Sequence, residues 1–82
     1  MTSYGDQRRA AAAHKDLSQL LGDPTAVGLV LIDDDGREQP MVSGQVIRVN
    51  ADTVVFRHDG LDEEFSLSTI AKRHHGAAVV SY

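Results

Sequence analysis

The chain has 82 residues, and its 12 acidic and 8 basic side chains give a formal net charge of −4 at pH 7. A surface with this average charge repels a phosphate backbone, which excludes general nucleic-acid binding and leaves room only for a local basic site. The absence of cysteine excludes a disulfide framework and thiolate metal sites, no apolar run approaches the roughly 20 residues of a membrane span, and we expect a soluble, cytoplasmic protein.

The length predicts a single domain over residues 1–82 with a thin core, because a chain of this size buries only about 60–65% of its unfolded surface. The sequence has no tryptophan and only four Phe and Tyr residues, so Val, Ile and Leu must fill the core. Oligomerisation is the remaining device for stabilising so small a fold. A homo-oligomer joined through strand edges is therefore one expectation.

Residues 1–5 are expected to be disordered, and a helix is predicted over residues 6–22. Its apolar side chains recur at spacings of three and four and form one face, made of Ala10, Ala13, Leu17, Leu20 and Leu21. Gly22 suits the left-handed position after a helix, and Pro24 prevents its continuation.

The next segment, residues 27–32, is an unbroken apolar run and predicts a strand covered on both faces. Three aspartates and a glycine follow at positions 33–36. The glycine comes too early for a calcium-binding loop, and the acid expected at the end of such a loop is replaced by Gly44. We therefore interpret positions 33–36 as a hairpin turn.

The central hairpin is predicted from two β-branched runs, residues 42–49 and 53–56, which are separated by the turn residues 50–52. Gly44 lies inside the first of these strands. A residue without Cβ weakens regular pairing but allows a sharp bend, as a small barrel needs when one long strand serves two sides.

A further strand is predicted over residues 61–67, after the turn signal at Asp59 and Gly60, with Glu63 interrupting its apolar side. Residues 68–71 fit either a 3₁₀ turn or the tail of that strand, and residues 77–82 predict a last short strand. The fold class is therefore mainly β with one N-terminal helix, and residues 27–82 are expected to form a five-stranded, strongly bent antiparallel small barrel.

No pattern in the sequence carries catalysis. The serines lack a surrounding nucleophile signature, there is no phosphate loop or dinucleotide fingerprint, and the four histidines fit solvated loop positions better than metal ligands. We expect no enzyme activity, no cofactor and no metal site. The best electrostatic candidates for contacts with phosphate or a partner are basic residues, with Arg48 and Arg57 facing each other across the central hairpin. These candidates are Arg8, Arg9, Arg48, Arg57, Lys72, Arg73 and His74.

The segment Gly44-Gln45-Val46, followed by Val49-Asn50 and Thr53-Val54-Val55-Phe56, resembles the first motif of Sm-like proteins, which include the Hfq-like bacterial RNA chaperones. In that family a glycine bends the second strand, and an Asp or Asn closes the turn before an apolar third strand. Phe65-Ser66-Leu67-Ser68-Thr69-Ile70 lies where the second motif falls. The resemblance implies an Sm-like or SH3-like small barrel.

The family also suggests two kinds of partner. Hfq-like chaperones hold uridine with a Lys-His pair before the final strand, where this sequence has Leu67-Ser68-Thr69. Small acidic inhibitors of the Rho termination factor, the Rof-like proteins, share the outline and act by binding a protein. Their ending is similar to residues 76–81.

The leading hypothesis is therefore a non-catalytic interaction module that binds a protein of the transcription or RNA machinery, or associates with itself. The alternative is an RNA-binding Sm-like oligomer that uses Lys72, Arg73, Arg8 and Arg9. A third hypothesis, a small-barrel ribonuclease toxin or its accessory, would depend on His58 or Arg57.

Overall fold

The computed structural model describes residues 4–82. Of the five positions expected to be disordered, residues 1–3 lie outside the described residues, whereas residues 4 and 5 belong to a helix. The elements in chain order are α1 (Tyr4–Ser18), β1 (Val27–Leu31), β2 (Val42–Val49), β3 (Thr53–His58), β4 (Leu61–Ser66), a 3₁₀ helix (Leu67–Thr69), β5 (Ile70–His75) and β6 (Ala78–Ser81).

All strand pairs are antiparallel and form one six-stranded sheet in the order β4-β3-β2-β1-β5-β6. The prediction of a mainly β fold with one N-terminal helix is confirmed. The prediction of five strands is wrong, because β5 was not anticipated. Within residues 4–82, β4 and β6 are unpaired edges, so the hydrogen-bonded sheet is open and closure into a barrel is not confirmed.

Strand β2 pairs with two neighbours in succession. Residues 42–44 pair with β1, while residues 45–49 pair with β3 and include a register shift between Val46 and Arg48. Gly44 lies where the partner changes, and a Cβ at this position would lie 1.9 Å from the carbonyl oxygen of Arg57. Strand β2 thus pairs with β1 and with β3 in succession. The close approach of the Arg57 backbone is what requires a glycine at position 44.

The unpredicted strand β5 lies between β1 and β6 near the middle of the sheet. Its sequence, Ile-Ala-Lys-Arg-His-His, has neither an apolar run nor regular alternation. Ile70 and Arg73 are nevertheless buried, and the pairing with β1 shifts register between Val30 and Leu31. Periodicity fails because a buried arginine occupies a core position and a bulge changes the phase.

One apolar core joins the helix to the sheet. Its fully buried members come from α1, three strands and the 3₁₀ helix: Ala13, Leu17, Val27, Leu29, Val54, Phe56, Leu67 and Ile70. Leu20 is also buried, as predicted, but Leu21 is 49% exposed and does not belong to the apolar face. The helix therefore covers the core side of the sheet.

The helix is shorter than predicted. It ends at Ser18, and the amides of Gln19 and Leu20 donate to carbonyls three residues earlier, which tightens the chain into a turn before Gly22. The prediction of a turn at 33–36 is confirmed. There the carboxylate of Asp33 accepts two backbone N–H bonds at 2.9 Å, and Gly36 has a positive φ of 78°.

Candidate interaction surface

The most buried of the predicted basic contacts has a structural role. Arg73 is 8% exposed and donates two hydrogen bonds, at 2.7 and 2.5 Å, to the carboxylate of Asp16 on α1. The hydroxyl of Tyr82 donates to the same carboxylate. The hydrogen bonds from Arg73 lower the pKa of Asp16, while burial together with the bond to Asp16 raises the pKa of Tyr82. This clamp, Asp16–Arg73–Tyr82, fixes the helix to β5.

Three more of the predicted basic residues form ion pairs within the chain. Arg9 donates from one nitrogen to Asp6 and to the Ser68 carbonyl, both at 2.9 Å, and so connects the helix to the 3₁₀ segment. The other two pairs join Lys72 to Glu38 at 3.1 Å and Arg57 to Asp62 at 2.7 Å. Together with Arg73, four of the seven candidates are already engaged.

The remaining candidates do not form a patch on one element. Arg8 is exposed on the helix, with its guanidinium carbon 5.8 Å from the centroid of the Tyr4 ring. Arg48 is exposed on β2, and His74 lies on β5. The expectation that Arg48 faces Arg57 is wrong, because Arg48 pairs with Val55 and Arg57 pairs with Gln45 on the other side of the register shift.

The histidines occupy regular elements instead of the loops that we predicted. His14 lies on α1, His58 ends β3, and His74 and His75 end β5. The Nε2 atom of His75 lies 3.3 Å from a carboxylate oxygen of Asp23 without hydrogen-bond geometry. Within residues 4–82, no three His, Asp or Glu side chains are grouped so that they could hold a metal ion.

His58 is half-buried at the open end of the core. Its Nε2 lies 2.7 Å from a carboxylate oxygen of Glu63 and its Nδ1 lies 3.3 Å from Asp59. The ring stacks on Phe65 at a centroid distance of 6.1 Å, with Phe56 at 6.2 Å. The bond to Glu63 raises the pKa of His58. The pairing with His58 explains why a carboxylate, Glu63, lies on the core side of β4.

The hairpin that carries this pair has a tight two-residue turn. Asp59 and Gly60 both have positive φ, at 52° and 76°, as the hairpin turn of type I′ requires. His58 and Leu61 therefore form the closing pair, which exchanges both of its backbone hydrogen bonds. All six residues of β4 pair with β3 without a register shift, so the strand is regular from end to end.

Alternation along this ladder leaves backbone groups on the outer edge of β4. The Leu67 amide donates to the Asp52 carbonyl at 2.9 Å, which continues the set of odd-numbered residues that bond toward β3. Asp62 and Glu64 therefore direct their N–H and C=O groups away from the sheet. Because β4 is the outermost strand, no other strand of residues 4–82 receives these groups.

The side chains of β4 divide between its two faces. Leu61, Glu63 and Phe65 share the core side, and Leu61 is 68% exposed there. Asp62 and Glu64 project from the opposite side, where Glu64 accepts a 2.7 Å hydrogen bond from the Thr53 hydroxyl. We call this strand edge, residues 61–66, the β4 edge. The sequence predicts this strand but not its position at the edge of the sheet, although an acidic strand after an Asp-Gly turn is a local signal for an edge.

Two open clefts lie beside the helix. The larger, of about 670 Å³, separates α1 from the β2–β3 turn and has His14, Asp52, Ser66 and Ser68 in its walls. The smaller, of about 430 Å³, includes Arg8 and Arg9. In the described structure the His14 ring makes no hydrogen bond to Asp52 or to either serine.

No helix among residues 4–82 has the length and apolar character needed to cross a membrane. No family model, no curated protein and no solved structure matches the chain.

Proposed function

We propose that this chain is a non-catalytic, Sm-like small-barrel module that binds another protein. The observation that carries the proposal is the β4 edge, a regular strand of six residues in which the outward N–H and C=O groups of Asp62 and Glu64 have no partner within the described chain. Unpaired strand edges are the surfaces at which folded domains accept an additional strand. The engagement of Arg9, Arg57, Lys72 and Arg73 in internal ion pairs argues against a phosphate-binding face.

The barrel in this proposal consists of strands β1–β5 bent around the core, with β6 added outside β5. Support for the bend comes from the change of partner at Gly44 and from the register shift between Val46 and Arg48. A partner from the transcription or RNA machinery follows from the Sm-like resemblance alone.

The alternative function is an RNA-binding Sm-like oligomer. One observation favours it, because Arg8, Arg48 and His74 make no hydrogen bond or ion pair to an acidic side chain of residues 4–82. These three residues lie on the helix, on β2 and on β5, and a single subunit does not bring them to one element. An RNA site would therefore have to be assembled from several subunits.

The test combines a binding assay with a capture assay. We expect fluorescence anisotropy with single-stranded RNA to show no salt-sensitive binding at micromolar protein, and light scattering to report a monomer. We expect the immobilised chain to retain a protein from a lysate of its own source after nuclease treatment, and the core variant Phe56→Ser to lose it. Salt-sensitive RNA affinity, nuclease-sensitive capture or cleavage of the RNA would overturn the proposal.

A further inference from the structure

The β4 edge has the backbone geometry of a docking strand. Its outward N–H and C=O groups belong to Asp62 and Glu64, two residues apart, which is the spacing at which an added antiparallel or parallel strand makes hydrogen bonds. Edge strands are usually protected by a proline, a bulge, an extra covering segment or charged side chains, and β4 has charged side chains. Residues 61–66 contain no proline, and their ladder with β3 has no register shift.

Charge determines what kind of strand can dock there. The hairpin of β3 and β4 carries four carboxylates, Asp59, Asp62, Glu63 and Glu64, but only one permanent cation, Arg57. Glu64 has hydrogen bonds from Thr53 and Asn50 but no positively charged partner. Asp62 is already paired with Arg57, so an incoming strand with a cation opposite Glu64 would neutralise the charge that the fold leaves unbalanced.

A second copy of this chain is a poor match for the same edge. Two β4 strands would bring acidic side chains together, which is destabilising between neighbouring strands. Strand β6, the other free edge, has only four residues and no basic residue. The most basic strand, β5, is paired on both sides, with β1 and β6. The occupant that remains is a basic segment of another protein.

We propose that the β4 edge binds an extended peptide segment in which basic and apolar residues alternate. This inference rests on the proposed function. The segment adds a seventh strand to the sheet. Its basic side chains lie on the face of Asp62 and Glu64, and its apolar side chains lie beside the exposed Leu61 and the half-buried Phe65 on the core side. The three consecutive carboxylates then select a cationic partner and repel copies of β4.

The probe for this proposal is the acetylated and amidated peptide Val-Lys-Val-Lys-Val-Lys-Val, with binding followed by calorimetry and by amide hydrogen exchange of the full chain. We expect salt-sensitive binding and slower exchange of the Asp62 and Glu64 amides, which exchange freely without the peptide. The same peptide with every backbone nitrogen methylated keeps its charge but loses its donors, and it should not bind. Binding of the methylated peptide with equal affinity would overturn strand addition.

Variants of the chain separate charge from backbone pairing. Neutralising β4 with Asp62→Asn, Glu63→Gln and Glu64→Gln should weaken peptide binding by about tenfold at low salt. The matched control removes three exposed acids elsewhere, Asp34→Asn, Asp35→Asn and Asp52→Asn, and should change the affinity by less than about twofold. Equal weakening by both triple variants would mean that the peptide responds only to net charge, and it would overturn the assignment to β4.

A proline at the outward position tests the edge directly. Glu64→Pro removes one free amide that the fold does not use, and edge positions tolerate proline, so we expect a folded chain that no longer binds the peptide. If this variant fails to fold, amide exchange in the unmodified chain is decisive. Slower exchange of Asp62 and Glu64 on adding the peptide supports the proposal, and unchanged exchange overturns it. If the peptide fails to bind while nuclease-resistant capture persists, only the assignment of the docking site fails, and the proposed function stands.

Discussion

The clamp between Asp16, Arg73 and Tyr82 provides the sharpest test of how the helix is held to the sheet. Asp16→Asn keeps the size of the side chain but replaces one carboxylate oxygen with an NH₂ group. Arg73 donates to both carboxylate oxygens and Tyr82 to one of them, so that group faces the Arg73 guanidinium in either orientation. The substitution therefore removes the counter-charge of a nearly buried arginine and places donor against donor.

The expected cost follows from the burial of the pair. Removing one partner of a buried ion pair costs about 3–5 kcal/mol, because the other charge remains buried without compensation. The side chains of Arg73 and Asp16 are 10% and 17% exposed, which places the cost at or just below the lower end of that range, about 2–3 kcal/mol. A domain of this size has about 4–12 kcal/mol of stability in total. The midpoint of thermal unfolding should therefore fall by roughly 10–20 °C.

Thermal and urea unfolding followed by circular dichroism measures this loss. The matched control is Asp62→Asn, the same substitution in the exposed pair with Arg57, and it should leave the midpoint nearly unchanged because water screens that pair. The result that would refute the reasoning is a similar midpoint for both variants, or a loss for Asp16→Asn below about 1 kcal/mol.

The pH dependence of the same variant provides an independent check. The hydrogen bonds from Arg73 lower the pKa of folded Asp16 below its unfolded value of about 4. A group with a lowered pKa contributes stability above its unfolded pKa, and this contribution is lost as the pH falls through the folded pKa. The difference between wild type and Asp16→Asn should be constant near neutral pH and shrink below about pH 4.

Three further predictions test the sheet. Gly44→Ala should destabilise the chain by about 3 kcal/mol in urea unfolding, because its Cβ would lie 1.9 Å from the Arg57 carbonyl oxygen; an unchanged midpoint would contradict this close approach. Val46→Asp should unfold the chain, because Val46 is 2% exposed and an aspartate there has no partner; native circular dichroism would count against the core assignment. Glu63→Gln should lower the pKa of His58 in an NMR titration, and an unchanged pKa would exclude Glu63 as its cause. Because Glu63 raises that pKa, its stabilisation is present at acidic pH and lost as the pH rises through the folded pKa of His58.

The central hairpin was predictable because its signals are local. Strand β2 has the predicted bounds 42–49, and β3 begins at Thr53, directly after the predicted turn. Asn50 closes that turn with a 3.0 Å hydrogen bond from its amide nitrogen to the Thr53 hydroxyl. Local composition, turn chemistry and burial all favour the same structure at this point of the chain.

Strand β5 was not predictable in the same way, because its core position depends on a distant partner. Arg73 is buried only because Asp16 lies 57 positions earlier on the helix and neutralises it. A hydrophobic pattern assigns such a residue to the surface, so the basic run was interpreted as a phosphate-binding candidate. At Glu63 the sequence signal holds, because this residue interrupts the apolar side of β4 and its side chain is 54% exposed beside its partner His58.

The ion pairs of Arg73 and Glu63 share a physical cause that also supports the proposed partner. A thin core without tryptophan or cysteine is completed by ion pairs, and cations are consumed wherever an acid must be held near the core or against a loop. Acids outnumber bases, so the pairing leaves a surplus of carboxylates. Part of that surplus lies on the β4 edge, where free backbone groups already favour an added strand. A cationic extended segment would neutralise these carboxylates and also pair with the free backbone groups, whereas a polyanion such as RNA would be repelled at this edge.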